Sequence, residues 1–499
     1  MPTESNTPET GQPSFRFSVL RNWLSLTGLV IAAGSFFAFL LLMTLDMVAH
    51  FANPYMGVLI YMVAPSFLIL GLFLTVLGWL IHRRFFLKGK AAAPRLNLQI
   101  DLSQPRHRRM MGAFVAASVV FLLVTAVGSY NTYHYTESVQ FCGQTCHTVM
   151  KPELTTYQHS PHARVECTAC HIGAGATWFV RSKLSGTYQV YAVMADKYPR
   201  PVPTPIKNLR PAQETCEQCH WPKSFVGNLD RTYSHFLTDS NNTPYSVRLL
   251  LKVGGADPSH GPVGGIHWHM NVANKIEYIA TDKERQVIPW VRITDSQSVV
   301  TEYTTPGFTN EPGQYAVRRM DCMDCHNRPA HKYGKPDSAI DLAMGLGRID
   351  PKVPNIKKNA VSVLVQKYTS ETEAAEKIAT TLANQYPNDP RIRPIIDVVQ
   401  QIYRDNFFPE MKADWKSYPD NIGHKDWPGC FRCHDGQHKT ADGKQSIKAN
   451  DCNACHVIVA QGSGAELDKL NPKGEPFAHP GGEFGELRCN ECHSGGLMQ

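Results

Sequence analysis

Fourteen cysteines fall into seven close pairs, and a histidine follows the second cysteine of every pair. Cys142 and Cys146 precede His147, Cys167 and Cys170 precede His171, and Cys216 and Cys219 precede His220. Cys322 and Cys325 precede His326, Cys430 and Cys433 precede His434, Cys452 and Cys455 precede His456, and Cys489 and Cys492 precede His493. Six pairs read Cys-x-x-Cys-His, and the first has one extra residue between its cysteines. Two thioethers at this spacing fix the two vinyl groups of one haem, and the adjacent imidazole meets the iron from one face. Zinc sites use Cys-x-x-Cys but have no need of a histidine after each pair. Structural disulfides place no demand on the next residue. The pattern predicts seven covalently bound haems c.

Each iron needs a second axial ligand unless it binds substrate. Histidines beyond the motifs outnumber the six remaining haems, so coordination by two histidines is expected to dominate. The candidates are His162 just ahead of the second motif, His267 and His269, which would face one way on a strand, and His424, His438 and His479 near the C-terminal motifs. His331 follows His326 too closely to cap the same iron but can cap a neighbour. His134 and His235 read as surface residues. Met150, three residues after His147, either ligates the first iron and raises its potential or packs against the porphyrin.

The elements that position these groups begin with a polar tail, residues 1–21. A three-helix membrane anchor is expected over 22–128, from the apolar stretches Trp23–Leu45, Tyr55–Ile81 and Gly112–Gly128. The loop from His82 to Arg109 is rich in Arg and Lys, whereas 46–54 has none. The positive-inside rule therefore puts the N-terminus in the cytoplasm and residue 129 onward in the periplasm. Beyond the anchor the haems divide the chain: haems 1–3 in 129–225, a β-rich insert in 226–320, haem 4 and a helical segment in 321–410, and three haems in 411–499. Strands are predicted at Lys275–Ala280, Val287–Ile293 and Val299–Tyr303, and helices at Asp337–Met344, Ala360–Tyr368, Glu371–Gln385 and from Pro394. The fold class is mainly α, with three transmembrane helices and a loop-rich multihaem region containing a small β insert.

The formal charge of +7 sits almost wholly in the first 128 residues. Haem propionates turn the rest negative, so the composition argues against nucleic acid as partner.

From about Val119 to His220 the chain resembles the NapC/NirT/NrfH family of membrane-anchored quinol dehydrogenases. The stretch holds a membrane helix, Cys142–Met150, Ser160–His162, Cys167–His171 and then a lysine-bearing helix. The resemblance implies a first haem near the membrane surface and a quinol held by a lysine between the second and third haems, here Lys183. Three departures stand out. The first motif is longer, Met150 is one place late, and Gln189 and Val190 stand where the family has a carboxylate. Asp196 or Glu153 would then take the proton. Cys322–His331 and Pro428–His438 resemble the larger, seven-haem inner-membrane relatives of metal-reducing bacteria. The implied function is oxidation of menaquinol or ubiquinol at the outer face of the bacterial inner membrane. Electrons pass from the quinone pool to a periplasmic cytochrome c or reductase. The alternatives are a terminal reductase of a small nitrogen compound or oxyanion, and a passive electron conduit for a separate membrane dehydrogenase. No P-loop or dinucleotide-binding glycine motif is present.

Overall fold

The structure, a computed structural model, describes residues 23–49, 63–81, 103–145, 147–173, 176–206, 209–255, 264–270, 274–309, 314–448, 452–485 and 487–496. The polar tail, most of the basic loop, His260 and Cys146 lie outside the described residues. The chain divides into two compact units: Met1–Thr136 with Ala174–Lys183, and Glu137–Gly173 with Leu184–Gln499.

In the first unit, α1 (Trp23–Ala49), α2 (Ala64–Ile81) and α3 (Pro105–Glu137) carry the described parts of the three apolar stretches, residues 55–62 lying outside the described set. Trp23–Leu42 and Ala64–Ile81 are long and apolar enough to cross a membrane. The third stretch lies within α3, where several side chains are outside the described set. Lipid gives apolar helices no hydrophobic reason to pair, so close backbone approach must do it. α1 and α2 achieve this through small residues. A Cβ on Gly28 would come within 2.5 Å of the Thr75 nitrogen, and one on Gly71 within 2.5 Å of the Ala32 nitrogen. Ser25 Oγ donates to the Thr75 carbonyl at 3.1 Å across the same seam. Gly71→Leu is therefore expected to pry the helices apart, at a cost of about 1–3 kcal/mol. Thermal denaturation in detergent, followed by amide circular dichroism, checks this; an unchanged midpoint would show that the seam is not this tight.

The second unit contains α4 (His147–Gln158) and takes in the C-terminal part of α5 (Ala176–Met194). Its apolar core lies in α6 (Pro336–Gly345), α7 (Ile356–Leu364), α8 (Glu371–Gln385) and α9 (Ile392–Asn406). α8 starts where Ser370 Oγ accepts from the Glu373 N–H at 3.1 Å, an N-cap. It buries Ala374, Ile378 and Leu382, one turn apart. α9 buries Ile392, Ile395, Val399, Ile402 and Tyr403, a single stripe. Pro394 sits in its first turn, where a missing N–H is harmless. α6, α8 and α9 fall at their predicted places, whereas α7 begins and ends four residues before the expected Ala360–Tyr368.

The strands extend beyond the sequence reading. β3 (Lys275–Ile279), β4 (Trp290–Thr294) and β5 (Val300–Thr304) match the predicted three, and β6 (Arg318–Arg319) completes an antiparallel sheet ordered β5-β4-β3-β6. A second sheet, β1-β2-β7, pairs β1 (Leu229–Phe236) with β2 (Pro244–Leu251), and β2 with β7 (His456–Gly462). β7 starts at the histidine of the sixth motif. Segment 226–320 is thus stitched to the C-terminal haem segment.

Candidate functional site

The motifs share one local device. Cys167–His171, Cys322–Cys325 and Cys489–Cys492 form single α-turns, and Cys216, Cys430 and Cys452 open or lie in 3-10 turns. In four motifs the histidine N–H donates to the first cysteine's carbonyl: His220 to Cys216 at 2.8 Å, His326 to Cys322 at 2.8 Å, His434 to Cys430 at 3.0 Å and His493 to Cys489 at 2.8 Å. That bond closes one helical turn and sets the imidazole one turn beyond the first sulfur. None of the described cysteines is in a disulfide.

The histidines come together in pairs. Each of the six Cys-x-x-Cys-His motifs has one second imidazole facing its own: His171 with His331 (ring centroids 6.1 Å apart), His220 with His162 (6.0 Å), and His326 with His267 (6.4 Å). His434 faces His269 (5.9 Å), His456 faces His424 (6.2 Å), and His493 faces His479 (5.9 Å). Two imidazoles binding one metal from opposite faces at about 2.0 Å place their centroids about 6.3 Å apart. The pairs have that spacing, so the residues fit haem iron.

The electrostatics agree. Burial lowers the pKa of His171, His269, His326, His331, His424, His434, His456 and His493, which favours the neutral imidazole a metal requires. Nδ1 of His267 donates to the Val253 carbonyl at 2.5 Å, and Nδ1 of His269 to that of Ile266 at 2.8 Å. Such bonds leave Nε2 for the iron. Nδ1 of His424 and of His456 is buried with no hydrogen-bond partner among the described residues. A cavity of about 380 Å³ lined by His269, Trp221, Lys223 and Arg319 opens beside the His269–His434 pair.

The first five motifs lie next to one another in chain order. The Cys167 thiol is lowered to about 7, chiefly by its hydrogen bond with Cys142. Burial raises the Cys170 thiol, and neighbouring Cys216 and Cys219 raise it further. Cys216 acts likewise on Cys322, and Cys430 on Cys325. Cys430 N–H donates to Gly423 at 3.0 Å, beside the ring of His424.

Several expectations change. His438 is wholly buried, with Nδ1 2.8 Å from Asp435 Oδ1 and Nε2 2.7 Å from the Ile288 carbonyl. Both ring nitrogens are taken, so this residue is a structural pin and not an iron ligand. His267 and His269 sit on a 3-10 turn, Ile266–Met270, and not on a strand. At three residues per turn they point different ways, each toward its own motif. His235 is not a free surface residue: its Nδ1 is 3.0 Å from Asp341 Oδ2, and Asp341 is buried and also paired with Lys357 Nζ at 2.6 Å. That long-range contact joins β1 to α6 and α7, and no local sequence signal announces it.

Of the three residues expected to handle quinol, Lys183 is half-buried on α5. Asp196 follows the end of α5 with a side chain 70% exposed, bonded to Arg200 at 2.5 Å. Glu153, on α4, is 16% exposed and engaged by Arg328, Tyr333 and His331. Met150 is half-buried on α4, and the His147 side chain lies outside the described set.

Residues 104–202 match the model of the NapC/NirT cytochrome c family, N-terminal region. The cytochrome c-type protein ImcH of Geobacter sulfurreducens is 40% identical over 496 residues, 95% of each chain. The cytochrome c-type protein NrfH of Wolinella succinogenes is 29% identical over 154 residues, 30% of this chain and 84% of NrfH. No solved structure matches.

Proposed function

We infer the function from one premise: this chain belongs to the family of the Geobacter sulfurreducens cytochrome c-type protein ImcH, carries a NapC/NirT region, and is a membrane-anchored multihaem c-type cytochrome of electron transport. The finer reading is a quinol dehydrogenase with seven haems. The observation that carries it is the NapC/NirT match over 104–202, which spans α3, the Cys142 motif and the helix of Lys183. α3 is then the third span, with the N-terminus cytoplasmic and the haem segments periplasmic.

Haem, when bound, supplies one-electron transfer between neighbouring irons. The chain's own residues do the rest. Lys183 donates a charge-assisted hydrogen bond to one quinol oxygen. Asp196, open to water, passes the released proton to the periplasm. The six histidine pairs would hold six irons when haem is bound, and Met150 or His147 would serve the first. The second imidazole at each of these six motifs favours relay over the terminal-reductase alternative, because a reductase would need an open axial position.

The test is anaerobic addition of a menaquinol analogue to the purified protein in lipid, read on the haem α-band. Prompt reduction blocked by a quinone-site inhibitor is expected. No reduction, with dithionite still reducing every haem, would leave a conduit. Lys183→Leu is expected to slow quinol-driven reduction about 10- to 100-fold, the value of a charged hydrogen bond of about 1.5–3 kcal/mol. Dithionite reduction stays intact and Lys183→Arg recovers part of the rate. Equal rates in Lys183→Leu and parent would remove Lys183 from the site.

A further inference from the structure

We propose that Glu153 is a positioning residue for His331, and that its carboxylate holds the haem between His171 and His331 at a lower potential than that ligand pair would otherwise have. The proposal rests on the pairing of His171 with His331.

His331 Nδ1 is 3.0 Å from the Glu153 carbonyl and 3.1 Å from its Oε2. The Nδ1 partners of His162, His267 and His269 are neutral carbonyls, those of Pro329, Val253 and Ile266. The hydrogen bond of His331 Nδ1 is likewise to a carbonyl, that of Glu153, but among these four distal histidines it alone also has a carboxylate oxygen beside Nδ1. The carboxylate is held in place. Tyr333 OH donates to its Oε1 at 3.2 Å and Arg328 Nη2 to its Oε2 at 3.3 Å. Arg328 also reaches back, donating from Nε to the His331 carbonyl at 2.6 Å, while its guanidinium lies 4.1 Å from the Tyr418 ring centroid. One arginine thus clamps both the ligand's backbone and the group that orients its ring.

A carboxylate on the far nitrogen of a ligating imidazole gives the ring more anionic character and makes it a stronger donor. A stronger donor favours ferric iron. The site is largely shielded from water, so the charge is felt at short range. This role also takes Glu153 out of quinol deprotonation, since its oxygens already serve three partners.

The test is a spectroelectrochemical titration of the full-length protein in lipid, with low-temperature electron paramagnetic resonance. Glu153→Gln is expected to move one redox component upward and shift one low-spin signal, with haem content unchanged. Glu153→Asp, which keeps the charge, is expected to lie nearer the parent. His331→Ala separates the two layers of the argument, because it should leave one high-spin haem. If it does, and no component moves in Glu153→Gln, the role given to Glu153 is overturned. If every haem stays low-spin in His331→Ala, the pairing is overturned and the proposal with it.

Discussion

His267→Met and His269→Met are each expected to raise the potential of one haem, and not the same haem. The two histidines stand two residues apart, yet they face His326 and His434 respectively. A 3-10 turn rotates about 240° over two residues, so the side chains diverge where a strand would have aligned them. Thioether in place of imidazole is a weaker donor to ferric iron and raises the potential, within the roughly 0.8 V that axial ligands span. The two sites also differ in ring geometry. The His267 and His326 planes are 5° from parallel, whereas those of His269 and His434 are 81° apart. Parallel rings donate along one axis and split the iron orbitals, giving a rhombic low-spin signal. Near-perpendicular rings leave those orbitals close in energy and give a strongly anisotropic one. His267→Met should therefore remove a rhombic signal, and His269→Met an anisotropic one. The double variant should lose both, with the potential shifts adding. One haem responding to both substitutions would overturn the pairing of this turn with two motifs.

That example marks where the sequence was legible and where it was not. The attachment points could be read outright, because covalent chemistry demands residues a few places apart. The helices around Ile378 and Val399 were legible from their apolar stripes, and the bounds of α8 match the expected Glu371–Gln385. The candidate distal histidines could be listed but not paired. His331 meets His171 across 160 residues of chain, and His162 meets His220 across 58, so no local pattern connects them. The same distance hid β7, which pairs with β2 about 200 residues earlier, and the bond from His235 to Asp341. His438 misled because its neighbourhood looked like that of a ligand. Only the Ile288 carbonyl, 150 residues away, shows that the ring is already used.

Asp324→Ala is expected to be among the most damaging single changes outside the haem ligands. Asp324 lies between the cysteines of the fourth motif and is 3% exposed. Its Oδ1 accepts from Tyr278 OH of β3 at 2.6 Å, from Arg285 Nη1 at 3.0 Å and from Arg318 Nε of β6 at 2.9 Å. Its Oδ2 accepts from the Asp321 N–H at 2.8 Å, and the Asp321 side chain returns the favour at Met323, closing a capping box on the motif turn. Its carbonyl accepts from Arg432 Nη2 at 2.7 Å, within the fifth motif. One carboxylate therefore holds the turn, anchors it to the sheet and answers two guanidinium charges. Burial and the nearby Asp324 push the Tyr278 hydroxyl well above the usual phenol range, so it cannot ionise to suit a new partner. Removing the carboxylate strands that hydroxyl and takes this partner from Arg285, while Arg318 keeps Asp321 Oδ2 at 3.1 Å. Breaking a buried pair from one side costs about 3–5 kcal/mol, and the partial exposure of Arg285 and Arg318 puts the loss toward the lower end. The expected result is a clearly lowered melting midpoint and a preferential loss of haem from the Cys322–Cys325 site, seen as depletion of the rhombic signal assigned to His267 and His326. Asp324→Asn keeps an acceptor for Tyr278 but not the charge, and should fall between. A midpoint for Asp324→Ala within about 1 °C of the parent, less than about 1 kcal/mol for a unit of this size, would mean that the sheet and the motif turn stand without it.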